Sequence, residues 1–386
     1  MDNVQANKMI AEVFSEIADG IKSGSFGKKV KIGLTILGSE HGIEEMIKAA
    51  EMAKKKYNDF DIVLIGPKNS SDISTVEANT PEEGHKIMVK LLESGEIQGC
   101  VTQHFDFPIG VSTVGKVVTP GRGKDMFIAT TTGTSSTNRV AGMVMNAISG
   151  IAVAKANGIE NPKVGILNLD GARKVERILN ELKDNGYKFD FADSLRADGG
   201  AVMRGNDLLA GTPDVMVCDS LTGNLLIKIF SSFTTGGDYE TSGAGYGPGI
   251  GENYDKLINI VSRASGAPLI SEALKFCAAC AKNNALQTAK AEFEKANHAG
   301  LKDIIAKNTV DKTVETAEEV KIPPKKVVTA DITGIDILEL ENACKALWKA
   351  GIYSESGMGC TGPIVLVNTD DLNSAKVILK ESGFLS

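Results

Sequence analysis

The chain has 386 residues, 42% hydrophobic and 24% charged. That balance suits two or three globular domains and excludes a largely disordered or collagen-like chain. Lys and Arg number 42 against 49 Asp and Glu, a net charge of −7, which argues against a protein whose main task is gripping nucleic acid or anionic lipid.

Asp2, Glu12 and Glu16 do not fit a signal peptide. Val30–Leu37 reads as a strand, Gly38–Gly42 as a turn, and Ile43–Lys56 as a helix from apolar spacing at Ile43, Met46, Ile47, Ala50 and Ala53. Ile62–Ile65 completes a βαβ unit, which implies parallel strands. Ile97–Val101 and Met126–Thr130 are further strands, and Arg139–Ala156 is a helix. Its uncharged stretch, Val140–Ala154, falls short of the about 20 apolar residues a membrane span needs. Lys163–Asn168 opens a second α/β stretch, with a helix at Ala172–Asn185, a strand at Asp214–Cys218 and a helix at Leu225–Phe233. Residues 234–251 are too glycine-rich for a regular element and read as a mobile or ligand-embracing loop. Leu269–Ala296 reads as one long helix, residues 311–326 as a charged linker ending in Pro323-Pro324, and residues 327–386 as a small appended α+β module. The alternation predicts a doubly wound α/β sheet with ligands at the carboxyl ends of its strands.

A strand–glycine–helix junction aims free backbone N–H groups and the positive helix end at one point, a ready phosphate site. Gly38–Gly42, Ser220–Asn224 and Arg263–Gly266 are such junctions, and the last adds the fixed cation of Arg263. Thr130–Arg139 is a fourth, rich in hydroxyls. Taken singly, each is also what any α/β fold carries at its strand ends. No Walker pattern exists, so P-loop nucleotide binding is not supported.

Six scattered cysteines read as reduced thiols of a cytoplasmic protein. Cys360, in Ser356-Gly-Met-Gly-Cys-Thr-Gly-Pro363, is the candidate nucleophile, because exposed N–H groups of such a turn stabilise a thiolate and a thioester oxyanion. Cys100 ends a buried-looking strand and is the second candidate, with core packing at least as good a reading. Cys277 and Cys280 share a helix face without the second pair a zinc site needs. Cys218 and Cys344 read as core, and His41 is the histidine best placed for acid–base or anion work.

Pro213–Lys228 resembles the "ADVVVCDGFxGNxxLK" segment of the phosphate acyltransferases of phospholipid synthesis and the "PDLNxGN" segment of phosphate acetyltransferases. Thr137-Asn138-Arg139 and Ser262-Arg263 are similar to the latter family's helix-start arginine and its Ser-Arg phosphate pair. Over the whole length, Gly38–Gly42, Gln98–His104 and Gly357–Pro363 resemble the alpha-subunit family of component C of the glycine/sarcosine/betaine reductase complex.

The resemblance implies a two-domain fold like that of isopropylmalate dehydrogenase, with an interdomain cleft. The first domain would span residues 1–155, completed by 265–310, and the second 156–264, with the linker and the C-terminal module beyond. It further implies a beta-subunit partner and a selenoprotein, component A, carrying a carboxymethyl group on selenium. The two-carbon unit would pass to a cysteine of component C as an acetyl thioester, and inorganic phosphate, held by Arg263, Ser262, Asn224, Gly223 and Arg139, would release acetyl phosphate. Cys360 would be the carrier and Cys100 a resolving thiol. Phosphate is then a substrate, no cofactor or metal is called for, and no nucleic acid or membrane partner is implied. Homo- or hetero-oligomers both remain open.

One departure is informative. The acetyltransferases carry an aspartate shortly after their Ser-Arg pair to help deprotonate coenzyme A. Here the position six beyond Arg263 is Leu269, and the nearest acid is Glu272. That disfavours a coenzyme A thiol and suits a protein thiol. The alternatives are a stand-alone phosphate acyltransferase using acyl-CoA or acyl carrier protein, and a non-catalytic organising subunit.

Overall fold

The computed structural model describes residues 7, 11, 13–15, 17, 18, 20, 29–197, 199–309, 320–336, 339–359 and 362–385. The first half begins with β1 (Val30–Thr35), α1 (Ile43–Lys56), β2 (Phe60–Gly66), β3 (Thr75–Glu77), α2 (Pro81–Glu93) and β4 (Gly99–Thr102). It continues through β5 (Val111–Val118), β6 (Asp125–Thr134), α3 (Arg139–Ala156), β7 (Lys163–Leu167), α4 (Ala172–Asp184), β8 (Asp190–Phe191) and β9 (Val202–Met203). Then come α5 (Gly205–Ala210), β10 (Val215–Val217), α6 (Ser220–Ser232), β11 (Gly247–Ile250), β12 (Ile258–Ile260), α7 (Ala267–Lys282), α8 (Ala285–His298) and α9 (Leu301–Thr309). The C-terminal part holds β13 (Ala330–Thr333), α10 (Leu340–Lys349), β14 (Ser354–Gly359), β15 (Gly362–Val367) and α11 (Leu372–Glu381).

Local chemistry explains where the helices start. Glu44 and Glu45 in the first turn of α1 and Lys54, Lys55 and Lys56 in its last complement the helix dipole. At α2 Pro81 follows the Thr80 cap, whose hydroxyl accepts the Glu83 N–H at 3.2 Å. At α3 the Asn138 side chain accepts the Ala141 N–H at 3.0 Å. Asp219 caps α6, which therefore starts at Ser220 rather than at the expected Leu225.

The strands form one large α/β sheet in the order β3-β2-β1-β4-β12-β11-β5-β6-β10-β7-β8, with β9 beside β7. β1 runs parallel to β2 and β4, and β10 parallel to β6 and β7. β11 joins these two parallel regions. Its Gly247 and Pro248 pair antiparallel with Ile260 and Asn259 of β12, while Gly249 and Ile250 pair antiparallel with Thr113 and Ser112 of β5. We call the region on the β12 side the first lobe and the region on the β5 side the second.

This joint corrects the expectation for residues 234–251. The segment from Ala244 to Gly251 is buried and contains β11, so it is not a mobile loop. Its glycines serve close backbone packing. A Cβ on Gly247 (φ 80°) would stand 1.8 Å from the Val114 carbonyl oxygen, and one on Gly243 (φ 83°) 2.7 Å from that of Lys116. The expected helix Leu269–Ala296 is also two helices. Asn284 takes the left-handed conformation (φ 51°) and the Asn283 side chain donates to the Ala156 carbonyl at 2.7 Å, so α8 leaves the line of α7.

The large sheet is covered by two clusters of buried apolar side chains. A separate core of Ile332, Ile335, Cys344, Leu347, Val365, Val367 and Leu379 serves the antiparallel sheet β13-β15-β14 with α10 and α11. Glu339, before α10, accepts from Arg177 of α4 at 2.7 Å and lies 3.8 Å from Lys174. Of the expected linker, residues 311–319 lie outside the described residues. Among the described residues no helix is long and apolar enough to cross a membrane.

Candidate active site

The carboxyl ends of strands from both lobes meet at one cavity of about 470 Å³. From the first lobe, the segment after β4 contributes Gln103, His104 and Asp106, and the turn after β12 contributes Ser262 and Arg263. From the second, α6 contributes Asn224 and Lys228, one turn apart on one face. Tyr246, next to the joint strand, completes the wall between them.

The Ser262–Gly266 turn is built by its own hydroxyls. The Ser262 N–H donates to the Ser265 hydroxyl at 3.0 Å, and the Ala264 N–H to the Ser262 hydroxyl at 3.1 Å. The Arg263 carbonyl accepts the Glu40 N–H at 2.9 Å, which ties this turn to the Gly38–Gly42 turn. The Arg263 side chain is exposed, and no carboxylate among the described residues lies within ion-pair distance of it. Its charge is available to a ligand.

α6 reaches the cavity because of Gly223. A Cβ there would stand 1.7 Å from the Thr130 carbonyl oxygen, so only glycine lets the helix lie against β6. The Asn224 side chain then donates to the Thr131 carbonyl at 3.2 Å. Gly223 itself is buried and positions the helix rather than lining the cavity.

Behind Lys228 sits Glu240, 3% exposed. Its carboxylate accepts the Ser265 hydroxyl at 2.7 Å and lies 3.8 Å from the Lys228 ammonium. Burial pushes its carboxyl above the usual range, and Ser265 and Lys228 offset only part of that. At the other rim His104 Nε2 lies 3.2 Å from Asp106, and the half-buried His85 ring is 6.4 Å from that of His104. Burial, followed by the neighbouring His104, lowers the His85 pKa.

The remaining expected residues are placed elsewhere. Arg139 turns to Asp219 at 2.6 Å and to Asp170 at 3.7 Å rather than into the cavity. Asp219 also accepts the Thr222 N–H at 2.8 Å, so the Ser220–Asn224 helix start already holds a carboxylate. Burial raises the Asp219 carboxyl, but the Thr222 N–H and Arg139 outweigh it, and the net is below the usual range. His41 is not among the residues lining the cavity: its Nε2–H donates to the Ala264 carbonyl at 3.1 Å, and its ring stands edge-on to Tyr239 at 4.9 Å.

Cys100, the second thiol candidate, is fully buried in β4. Burial raises its pKa far above that of a free thiol, and the structure does not bring it into the cavity. Cys218, Cys277, Cys280 and Cys344 are buried as well. Cys360 lies outside the described residues. Glu272 is engaged by Lys56 at 2.5 Å and Tyr57 at 2.6 Å, and Leu269 is fully buried.

Lys228, Tyr246, Glu240, His104 and Asp106 escaped the reading of the sequence. Two had a signal: Lys228 closes the Pro213–Lys228 motif, and His104 closes Gln98–His104. Tyr246 and Glu240 had none, because they stand in the glycine-rich segment. Together, cations on facing walls beside a buried carboxyl and a phenol can hold a small polyvalent anion and withstand charge developing next to it.

The family described as fatty acid synthesis protein matches residues 30–366. The chain is 60% identical to the glycine/sarcosine/betaine reductase complex component C subunit alpha of Peptoclostridium acidaminophilum, over 98% of this chain and 99% of that protein. It is 27% identical to a phosphate acyltransferase of Thermotoga petrophila, over 52% of this chain and 67% of that one. A branched-chain phosphotransacylase structure from Enterococcus faecalis has a TM-score of 0.47 at 16% identity, covering 65% of this chain and 99% of that one.

Proposed function

Because this chain belongs to the fatty acid synthesis protein family and, within it, to the component C alpha subunits, we propose that its cavity transfers an acetyl group from a cysteine thioester to inorganic phosphate. The observation that carries this reading is the juxtaposition, across one cavity, of Asn224 and Lys228 from α6 with Ser262 and Arg263 from the β12 turn, the latter without an ion-pair partner among the described residues.

Cys360 is the proposed carrier. A thioester has an activated carbonyl and a thiolate leaving group, so phosphate attacks it without further activation. Arg263 and Lys228 hold the phosphate dianion against repulsion from the developing oxyanion, and fixing it there replaces a bimolecular encounter with a local one. Phosphate is a substrate in this scheme, which calls on no further cofactor. The acetyl unit would come from a selenoprotein carrying a carboxymethyl group, in a cytoplasmic assembly that includes a beta subunit. Among the described residues, Cys100 is too deeply buried to share the task in this conformation.

The test is covalent labelling by radioactive acetyl phosphate, which runs the transfer backwards. The wild-type chain should take up label, and added phosphate should release it. Cys360→Ala should keep the fold and lose the label; label that persists puts the acetyl group on another residue. Transfer that survives alkylation of every accessible thiol would favour an acyl-CoA or acyl carrier protein donor, the reading to which the Thermotoga petrophila relative gives weight. A chain that neither labels nor is protected from heat by phosphate would be an organising subunit.

A further inference from the structure

Tyr246 presents an unpaid cost in the wall of the cavity. The residue is 4% exposed, and its hydroxyl is buried without a hydrogen-bond partner among the described residues. Buried tyrosine hydroxyls normally find an acceptor. The ring is fixed: the backbone N–H donates to Ile260 at 2.9 Å, the carbonyl accepts the Thr131 hydroxyl at 2.8 Å, and the Lys228 ammonium stands 5.8 Å from the ring centroid. Ser262, Lys228 and Arg263 line the same cavity. A rigid, buried donor without a hydrogen-bond partner among the described residues, set among groups that hold an anion, is the arrangement of a preorganised ligand contact.

Charge decides which ligand oxygen it serves. Burial first, and then the neighbouring Glu240 carboxylate, hold the Tyr246 proton well above the ordinary phenol range, and the nearby Ser262 hydroxyl offsets only part of that. The hydroxyl is therefore a donor at every working pH. A phosphate dianion is drawn toward Arg263 and away from Glu240. A carbonyl oxygen is neutral at rest and gains charge only as the reaction proceeds, so it is the acceptor that fits beside a buried carboxyl.

We propose that the Tyr246 hydroxyl donates to the acyl carbonyl oxygen and stabilises the oxyanion formed when phosphate attacks, a role that rests on the acetyl-transfer reading above. A phosphate oxygen forms the new bond to the carbonyl carbon, and the C=O π pair moves onto the carbonyl oxygen. Collapse restores C=O and breaks the C–S bond, and the sulfur leaves as thiolate with that bond's electron pair. The tyrosine keeps its proton throughout, so hydrogenphosphate and a thioester give acetyl phosphate monoanion and thiolate in balance.

The test is Tyr246→Phe, which deletes only the hydroxyl. In the isolated chain the variant should melt no lower than the wild type, because the lost hydroxyl makes no hydrogen bond among the described residues. Inorganic phosphate should protect both chains within about twofold of the same concentration. With the partner subunit present, the rate of acetyl transfer between acetyl phosphate and the protein thiol should fall about 100-fold, with the KM for phosphate unchanged. A melting point several degrees lower, or an unchanged rate, overturns the assignment of Tyr246 while leaving the acetyl-transfer reading intact. A wild-type chain that neither binds phosphate nor accepts acetyl overturns the reading and the assignment together.

Discussion

Two corners of this molecule have the same parts and opposite fates. At the start of α6 a strand meets a helix near an arginine, and at the β12 turn a strand meets a helix beside another. In the first, Asp219 caps the helix and takes the Arg139 guanidinium at 2.6 Å, so donor and cation are satisfied internally. In the second, Arg263 has no carboxylate partner among the described residues and lines the cavity. Both helix starts already hold a carboxylate, since the Ala267 N–H at the start of α7 donates to Glu45 at 2.8 Å. What differs is the arginine, which Asp219 takes in the first corner and no carboxylate among the described residues takes in the second.

The sharpest way to break this contrast is to remove each arginine. Arg263→Ala should abolish protection by phosphate and slow acetyl transfer by about 100-fold or more. Arg139→Ala should change the rate by less than about tenfold and act mainly through stability. Equal losses in a side-by-side transfer assay would show that both corners serve the ligand.

The second comparison is structural. Asp219→Ala should cost about 1–2 kcal/mol through loss of the α6 cap, read as a lower urea midpoint. Asp219→Asn keeps a capping oxygen and releases Arg139, so phosphate should bind more tightly than to the wild type. Calorimetric titration that shows weaker binding would mean the acid itself supports the ligand.

The smallest effect is one of pH, and its sign differs between the buried Glu240 and the half-buried Asp219. Glu240 is held above its ordinary pKa, so the folded state binds that proton more tightly. Stability is fully retained below the unfolded value and is lost as pH rises through the folded one. Asp219 is held below its ordinary value, so its contribution is present above the unfolded pKa and is lost as pH falls through the folded one. Relative to the wild type, Glu240→Gln should gain stability as pH rises, and Asp219→Asn should lose it. Denaturation curves recorded from about pH 3 to about pH 8 should diverge in opposite directions; curves that run parallel would refute both assignments.

What could be read from the sequence depended on whether the deciding contact was local. Arg139–Ala156 is visible residue for residue, because its cap and small-residue composition are within the helix itself. The break at Asn283-Asn284 hides behind continuous apolar spacing, since the Asn283 contact is with Ala156, far away in sequence. The glycines of 234–251 suggest freedom, yet they mark crowding against Val114 and Lys116, carbonyls that only the fold brings near. Of the site, Asn224, Ser262 and Arg263 are legible as motif residues. Glu240 and Tyr246 are not, because their meaning comes from Ser265, Lys228 and Ser262 on other segments.

The joint strand has a mechanical corollary. Half of a four-residue ribbon is laced to each lobe, and Pro248 within it has its φ fixed by the ring. Arg263 follows β12 on one side and Asn224 sits on α6 on the other, while Tyr246 stands immediately before the shared strand. The spacing of the two walls, and the place of the phenol between them, are thus anchored through the pairing of one short strand with both lobes.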